Sequence, residues 1–183
     1  EFNSLLDRAE VMLKSVEKYS WNSEESSYYS LLHLNGKALN EDLIPVIFTG
    51  YGGSDVIQFG RVAAYFYLVT QDPAYKEMVN KVADMLLKTD WPDDFVVNSL
   101  ACALQFSLDA HEILEDDRLL QFAQNYASIA IEKLWSGHLF IRQPNDTYYE
   151  AKLETNNLVA GLLRLHLTEC NQANHGSLTE WSF

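Results

Sequence analysis

Hydrophobic residues recur along the chain with helical spacing and predict helices of two kinds. The first kind is amphipathic, with an apolar stripe on one face and charges on the other, and it covers residues 4–19, 72–88 and 116–134. In the second of these, Asp72 is placed to act as N-cap and Pro73 occupies the first helical position. The three stripes consist of Leu5, Leu6, Ala9, Met12, Leu13 and Val16; of Tyr75, Met78, Val79, Val82 and Leu86; and of Leu119, Leu120, Phe122, Ala123, Tyr126, Ala127 and Ile131.

Three helices of the second kind lie between and after these segments. Residues Ser54–Thr70, Asp94–Leu114 and Glu154–Glu169 are apolar nearly all round, which is typical of helices that protein covers on most sides. Outer and inner helices therefore alternate along residues 1–170, which we interpret as a single all-α domain of antiparallel helical hairpins. Residues 171–183 form a polar C-terminal tail.

The connections between helices carry a weak repeat and short hairpins. Each amphipathic helix ends in tryptophan, at Trp21, Trp91 and Trp135. Residues 21–53 form the longest insertion and contain Asn35-Gly36, a strong hairpin turn signal. The segment after Trp135 predicts a second β-hairpin, with "PND" at residues 144–146 as its turn. The tryptophans are explained either as hydrophobic plugs at helix ends or as rings that stack on a ligand.

A resemblance to a known architecture follows from these patterns. The stretch "FGRVAAYFYLVTQDPAYKEMVNKVADMLL", residues 59–87, is similar to the joint between inner and outer helix in the six-hairpin glycosidase-like superfamily of α/α toroids, with Gln71 where glycine is usual. "AIEKLWSGHLF" and "ETNNLVAGLLRLHLTE" support it. A closed toroid needs six hairpins and six helices make three, so the resemblance implies a partial toroid. The chain has no initiator Met, and we expect either a piece of a longer protein or a barrel that a second copy completes.

The resemblance also implies where a ligand would bind. In such toroids the starts of the inner helices meet at one end of the barrel, where family members bind sugars. Glycosidic cleavage uses two carboxyl groups across the scissile bond. Asp94 and Glu154 are the best pair at these starts, with Asp55 as a third candidate. The residues that would hold the sugar are Tyr51, Trp91, Tyr148, Tyr149, Asn156, Asn157 and Arg61.

Ordinary helix capping is the alternative explanation of these polar groups. Ser54, Asp94 and Thr155 each precede or open an inner helix, where they would accept hydrogen bonds from free backbone N–H groups. Arg61 lies one turn into an apolar helix, so it needs either a carboxylate partner or an anionic ligand. The sequence leaves both alternatives open.

Composition excludes several classes of partner. The 183 residues carry a net charge of -13, which argues against duplex DNA and anionic membranes. No apolar run reaches the roughly 18 residues of a membrane span. Cys102 and Cys170 suggest no disulfide framework, the five histidines form no metal motif, and the glycines of "TGYGGSD" lack the spacing and lysine of a nucleotide loop. We therefore expect no metal and no cofactor. A cytoplasmic location and export after removal of a leader both remain open.

Two functions from different classes remain. The first is carbohydrate processing or binding, as a hydrolase, lyase or epimerase acting on a sugar or polysaccharide, which the resemblance implies. The second is a non-catalytic helical-hairpin module for protein–protein interaction or assembly. A solenoid of tetratricopeptide type is disfavoured because the connections vary in length and the 34-residue period is missing.

Overall fold

A computed structural model of the protein describes residues 2–47, 56–147 and 155–170. Within these residues the chain forms six helices and one short antiparallel strand pair, which confirms the all-α prediction with a small β-hairpin. The strands are β1, Trp21–Asn22, and β2, Ser27–Tyr28. The helices are α1, Phe2–Ser20; α2, Val56–Thr70; α3, Pro73–Leu87; α4, Val97–Leu114; α5, Asp117–Leu134; and α6, Thr155–Glu169.

The three inner helices α2, α4 and α6 run in the same direction. Gln58 of α2 contacts Cys102 of α4, and Arg61, one turn later, contacts Gln105. The same order holds on the other side of α4. There Asn157 of α6 contacts Gln105, and Arg164, two turns later, contacts residues 109 and 112. Because contacts advance together along each pair, the starts of α2 and α6 lie at the same end as the start of α4.

Helix α4 lies at the centre of the core. Thirteen of its residues are buried, and its neighbours α2 and α6 approach it through glycines. A Cβ on Gly60 would lie 2.7 Å from Phe106, and one on Gly161 would lie 2.6 Å from Leu104. Helix α3 packs against α2 and α4 through its predicted apolar stripe, because Tyr75, Met78, Val79, Val82 and Leu86 are all buried. The assignment of α3 as an outer helix and of α4 as an inner helix is therefore confirmed.

Three connections meet at the starts of the inner helices. The long insertion after α1 reaches this end at Pro45, because the Val56 N–H donates a 3.1 Å hydrogen bond to the Pro45 carbonyl. The segment after α5 also reaches this end, where the Val97 N–H donates a 2.7 Å bond to the Arg142 carbonyl. Residues 88–96 lead directly into α4. We call this end of the molecule the rim, meaning residues 45–47, 91–98, 140–147 and 155–157.

Asp94 does not cap the helix that follows it, and this corrects one of the predicted alternatives. Helix α4 begins at Val97 rather than Asp94, and Val96 occupies the N-cap position without a side-chain hydrogen bond. The first N–H is satisfied instead by the carbonyl of Arg142 from a distant loop. The sequence favoured Asp94 as the cap because aspartate is common at helix N-caps. Here a backbone carbonyl from a distant segment accepts the hydrogen bond instead of the aspartate side chain.

The turns are partly as predicted. At Asn35-Gly36, Gly36 adopts a φ of 81° and Leu32 pairs with Ala38, which confirms the hairpin turn. After α5 the chain reverses earlier than expected. Trp135 pairs with Phe140 around Gly137, which has a φ of 96°, and this reversal was not predicted. The predicted turn at residues 144–146 is also present, because the Asp146 N–H donates a 3.2 Å hydrogen bond to the Gln143 carbonyl and Asn145 has a φ of 71°. The residues that would pair after this turn lie outside the described residues.

Several apolar side chains predicted to be covered are exposed. On α1, Leu5 is 64% and Met12 70% exposed, and Ile131 of α5 is 58% exposed. On the inner helices, Val62, Val69, Val159 and Leu163 are between 44% and 64% exposed. The expectation that α2 and α6 are covered on most sides is therefore wrong for one face of each. Helical periodicity shows which face is apolar, but it does not show whether another element covers that face.

The joint between α2 and α3 holds a non-glycine residue in the left-handed region. Gln71 has a φ of 58°, and its N–H donates to the Tyr67 carbonyl at 2.7 Å, which closes the end of α2. Asp72 then caps α3, because its carboxylate accepts a 2.9 Å bond from the Ala74 N–H. A left-handed backbone costs free energy for every residue except glycine, so glycine would be the favoured residue at position 71.

Replacing Gln71 by glycine is therefore expected to stabilise the fold by about 0.5–1 kcal/mol, because glycine relieves the left-handed backbone. The matched control is Gln121→Gly on the exposed face of α5, where the backbone is helical and the same exchange is expected to cost about 0.5 kcal/mol. Urea unfolding of both variants measures the difference. A destabilised Gln71→Gly protein would contradict the assigned backbone strain.

Candidate functional site

Helix α4 carries a line of polar side chains within its apolar sequence. Asn98, Cys102, Gln105, Asp109 and Glu112 are spaced by four, three, four and three residues, so they share one face of the helix. Side chains of Gln58, Arg61 and Arg164 and the backbone carbonyl of Asn157, from the two neighbouring inner helices, join this line. We call the whole set the polar lane. It comprises Gln58 and Arg61 of α2, the five α4 residues, and Asn157 and Arg164 of α6.

The end of the lane farther from the rim is ionic and centred on Asp109. Its side chain is completely buried. Arg164 binds one carboxylate oxygen of Asp109 and donates a 3.0 Å bond to Glu112. Arg61 places its Nε 3.8 Å from the other carboxylate oxygen. Neither of those two facing atoms, Arg61 Nε and Asp109 Oδ2, has a hydrogen-bond partner in the described structure. The two arginines and two acids balance in charge.

Burial and the guanidinium groups act in opposite directions on Asp109. Burial raises the pKa of Asp109, while Arg164 and Arg61 lower it and only partly offset the loss of solvent. A carboxylate in this position needs both partners, since an unpaired buried charge costs several kcal/mol. This network supplies the carboxylate partner that the sequence left as one alternative for Arg61. Asp109 itself has no access to a ligand.

The end of the lane nearer the rim consists mostly of amide side chains and is better exposed. Gln105 connects all three inner helices there. Its amide oxygen accepts a 2.6 Å bond from Arg61, and its amide nitrogen donates a 2.6 Å bond to the backbone carbonyl of Asn157. Towards the helix starts, Gln58 donates to the Cys102 sulfur at 3.3 Å. Apart from Cys102, which is buried, these side chains and that of Asn98 are partly or fully accessible.

The structure brings two of the predicted site residues together. Arg61 and Asn157, predicted on different helices, meet through Gln105. Asp94 and Asn156 are exposed at the rim. Trp91 is half-buried and packs against Phe95 and Tyr126, with ring centroids 5.3 and 4.8 Å away. The predicted residues Tyr51, Asp55, Tyr148, Tyr149 and Glu154 lie outside the described residues.

The tryptophans at the ends of the outer helices all make ring contacts within the protein. Trp21 packs edge-on against Tyr28, and Trp135 packs against Phe140 at 5.0 Å. Together with the packing of Trp91 on Phe95 and Tyr126, these contacts favour the interpretation as hydrophobic plugs over that as stacking platforms.

A cleft of about 580 Å³ lies on the opposite side, between the long insertion and α3. Trp21 lines it, with Glu77 and Asp84 among its polar groups. However, the Lys81 ammonium lies 4.5 Å from the Trp21 ring centroid and also pairs with Glu17. One face of the ring is therefore already occupied by a cation, and the polar lane is the better candidate site.

Other classes of site find no support in the described part of the chain. Its histidines, cysteines and carboxylates form no group of three that could hold a metal ion. None of its helices combines the length and the apolarity that a membrane crossing requires. Neither Cys102 nor Cys170 forms a disulfide.

The class of site is thus a polar line across three parallel helices, ending at a rim of loops. Comparison with models of known protein families gives no match, and no curated protein matches the chain. The assignment of a function therefore depends on the geometry and on the resemblance of residues 59–87.

Sequence reasoning missed most of the lane. Gln58, Asn98, Gln105, Asp109, Glu112 and Arg164 were not singled out, because a helix with so many apolar residues was interpreted as apolar on all sides. The signal was nevertheless present. The five polar residues of α4 recur at helical spacing, and isolated charges such as Asp109 and Arg164 are rare in buried helices unless they are paired.

Removing Arg164 is expected to destabilise the protein strongly. Arg164→Met leaves Asp109 buried with a distant partner only, and the expected loss is about 3–5 kcal/mol of unfolding free energy. The double variant Arg164→Met with Asp109→Asn should recover part of this loss, because the unpaired charge is gone. Urea unfolding of the single and double variants measures the coupling.

The control is Arg118→Met, since Arg118 is 68% exposed and pairs with Asp116 at the protein surface. Its expected effect is below about 1 kcal/mol, as for other solvent-exposed ion pairs. Equal losses at Arg164 and Arg118 would show that the buried network contributes no special stability.

Proposed function

We propose that the protein binds carbohydrate at the rim end of the polar lane and acts on it as a glycosidase-like or related sugar-processing protein. The observation that carries this proposal is the meeting of Arg61, Gln105 and Asn157, from three different helices, near the half-buried side chain of Asn98 at the rim. Amide and guanidinium groups at fixed spacing suit a ligand with many hydroxyl groups.

The charge balance of the lane supports a neutral ligand. Arg61 and Arg164 are already compensated by Asp109 and Glu112 within the protein. An anionic ligand would have to displace one of these internal pairs, and the buried Asp109 would then lose a partner. Uncharged sugars require no such exchange, because their hydroxyl groups donate and accept hydrogen bonds without net charge.

The catalytic part of the proposal concerns Asp94 and Glu154. The resemblance implies acid and base roles for this pair, with Asp55 as a third carboxylate. Asp94 is exposed and free of a capping role, so its carboxylate is available to a ligand at the rim. Two carboxyl groups flanking a glycosidic bond would act as proton donor and as base or nucleophile.

Binding is tested by titrating the full chain with neutral oligosaccharides of different linkage and following amide chemical shifts by NMR. Asn98→Ala and Asp94→Asn are expected to weaken the affinity about 5–10-fold, the contribution of one hydrogen bond. Asn80→Ala, on the exposed face of α3, is the matched control and should bind as the wild type does. Equal affinity of all four proteins would refute binding at the rim.

Catalysis is tested separately by measuring release of reducing ends. If Asp94 and Glu154 act as acid and base, Asp94→Asn and Glu154→Gln should each lower turnover by about 100-fold or more, with the unfolding free energy unchanged. Binding without turnover in the wild type would reduce the proposal to a carbohydrate-binding protein. Full turnover in both variants would remove these carboxylates from the mechanism.

A second candidate is a non-catalytic module that binds protein partners. The apolar side chains exposed on α1, α2 and α6 favour it, because surface patches of this kind often mark protein interfaces. The same titrations separate the two candidates, since a pure interaction module would leave all amide shifts unchanged at millimolar sugar.

A further inference from the structure

Helix α1 turns a partly polar face towards the rest of the protein. Of its residues 5–20, Leu13 and Ser20 are buried, and Glu10 and Glu17 are half-buried. These four positions are spaced by three, four and three residues, so they lie on one face of the helix. Leu13 is thus the only large apolar side chain in this range that is buried, and two carboxylates share its face.

Glu17 connects α1 to two other elements. The Tyr28 hydroxyl of β2 donates a 2.6 Å hydrogen bond to one carboxylate oxygen of Glu17, and the Lys81 ammonium of α3 pairs with the other. The side chains of Glu17 and Lys81 are only 17% and 23% exposed. Water and salt therefore screen this ion pair less than one at the open surface.

Glu10 makes a similar contact two turns earlier in the helix. The Tyr75 hydroxyl of α3 donates a 2.8 Å hydrogen bond to its carboxylate, and Lys14 donates a 2.6 Å bond to the same oxygen. The Lys14 ammonium also lies 3.8 Å from the Asp72 carboxylate, which caps α3. Hydrogen bonds and ion pairs thus connect α1 to α3 along most of the length of α1.

The long insertion holds α1 firmly only at the end of the helix. A cleft of about 350 Å³ lies between α1 and residues 32–36. The close approach is at Gly36, where a Cβ would lie 2.5 Å from the Tyr19 ring. Next to it, the Tyr29 N–H donates a 2.8 Å bond to the Ser20 carbonyl, and the Ser20 hydroxyl donates a 2.7 Å bond to the Tyr29 carbonyl. The C-terminal end of α1 is therefore anchored independently of its two carboxylates.

Helix α1 also covers a cavity next to the start of α2. This cavity of about 270 Å³, which we call the α1 cavity, is lined by Val16 and Ser20 of α1 and by Val56 and Phe59 of α2, together with residues of the long insertion. Val56 is 1% exposed, and its N–H is bound to the Pro45 carbonyl at the rim. Moving α1 away would remove one wall of the α1 cavity and open it beside the rim.

We propose that α1 is a lid that opens as one unit about its C-terminal end, while α2–α6 stay folded, and that opening exposes the α1 cavity. Little buried apolar surface resists this motion, since seven residues of α3 and thirteen of α4 are buried but only two of residues 5–20 in α1. Polar contacts hold the closed state instead, and on opening they are exchanged for contacts with water at a modest net cost.

The lid is tested by hydrogen exchange of the full chain, followed by NMR at rising urea concentrations below the unfolding transition. A detached helix of this length is marginally stable in water, so amides in the middle of α1 should exchange together and be about 100-fold less protected than those of α4. Their exchange should accelerate with urea, because opening exposes a whole helix. Protection equal to that of α4, or exchange independent of urea as in local fraying, would overturn the proposal.

A conservative substitution of Glu17 tests what keeps the lid closed. Glu17→Gln removes the charge that Tyr28 and Lys81 contact, and it should raise the exchange rate of the α1 amides about tenfold. The matched control is Glu132→Gln on α5, because Glu132 is 69% exposed and pairs with Lys133 at the surface. The control should leave α1 exchange unchanged. The same rate in both variants would show that the carboxylate contacts do not hold α1.

A substitution in the body of the protein tests whether α1 opens separately. Ile113 is a buried residue of α4, and its contacts persist when only α1 opens. Ile113→Val should therefore raise the exchange of the most protected α4 amides about fivefold, through global unfolding, and leave that of α1 unchanged. An equal increase in both helices would show that α1 exchanges only when the whole protein unfolds.

Exposure of the α1 cavity is measured with Val56→Cys, which places a thiol of similar size at a buried wall. Its alkylation by iodoacetamide is followed by mass spectrometry of the peptide that contains position 56, separately from the native cysteines. The rate should rise about tenfold when Glu17→Gln is added and remain constant with Glu132→Gln. A rate that ignores Glu17→Gln would mean that α1 does not cover the cavity. The inference depends on the contacts of α1 and not on the polar lane, so absence of sugar binding would leave it intact.

Discussion

The paired charges at Asp109 constrain the rest of this structure. A single carboxylate without access to water contacts guanidinium groups from two different helices, so α2 and α6 are held at defined heights along α4. A shift of either helix by one turn would leave a charge buried without its partner, at a cost of several kcal/mol. Close packing at Gly60 and Gly161 acts in the same direction, because side chains there would separate the helices. The common height of the inner helix starts, and therefore the rim, follows from these contacts.

The polar lane divides into two parts with different physical roles. In its ionic part the two arginines and the two acids neutralise one another, and Asp109 is buried. This part therefore fixes the relative positions of the helices and does not bind a ligand. Its amide part is partly accessible and connects Arg61 to the backbone of Asn157 through Gln105, which fixes these polar groups relative to one another near the rim. Such a surface suits an uncharged, hydroxyl-rich ligand better than an ion.

Local chemistry was predictable where it depends on neighbours in the sequence. Asp72 and Pro73 start α3 as expected, Asn35-Gly36 turns the long insertion, and the stripe from Tyr75 to Leu86 is buried. The predictions were wrong where a distant segment intervened. Val96, not Asp94, occupies the N-cap position of α4, because the Arg142 carbonyl accepts the hydrogen bond of the first helical N–H. Leu5 and Met12 have the spacing of core residues but remain exposed, since periodicity does not indicate whether a neighbour is present. Arg61 was recognised as needing a partner, but Asp109 lies 48 positions away and could not be assigned to it.

The sequence by itself determined the helices, their alternation between one-sided and largely apolar character, and the polar groups at the inner helix starts. These properties follow from side-chain spacing and backbone preferences, which act over a few residues. Only the tertiary structure decided which charges neutralise each other, that Gln105 joins two predicted ligand residues, and which apolar faces stay uncovered. Those outcomes depend on helix direction and register, which are set by packing between segments far apart in the chain.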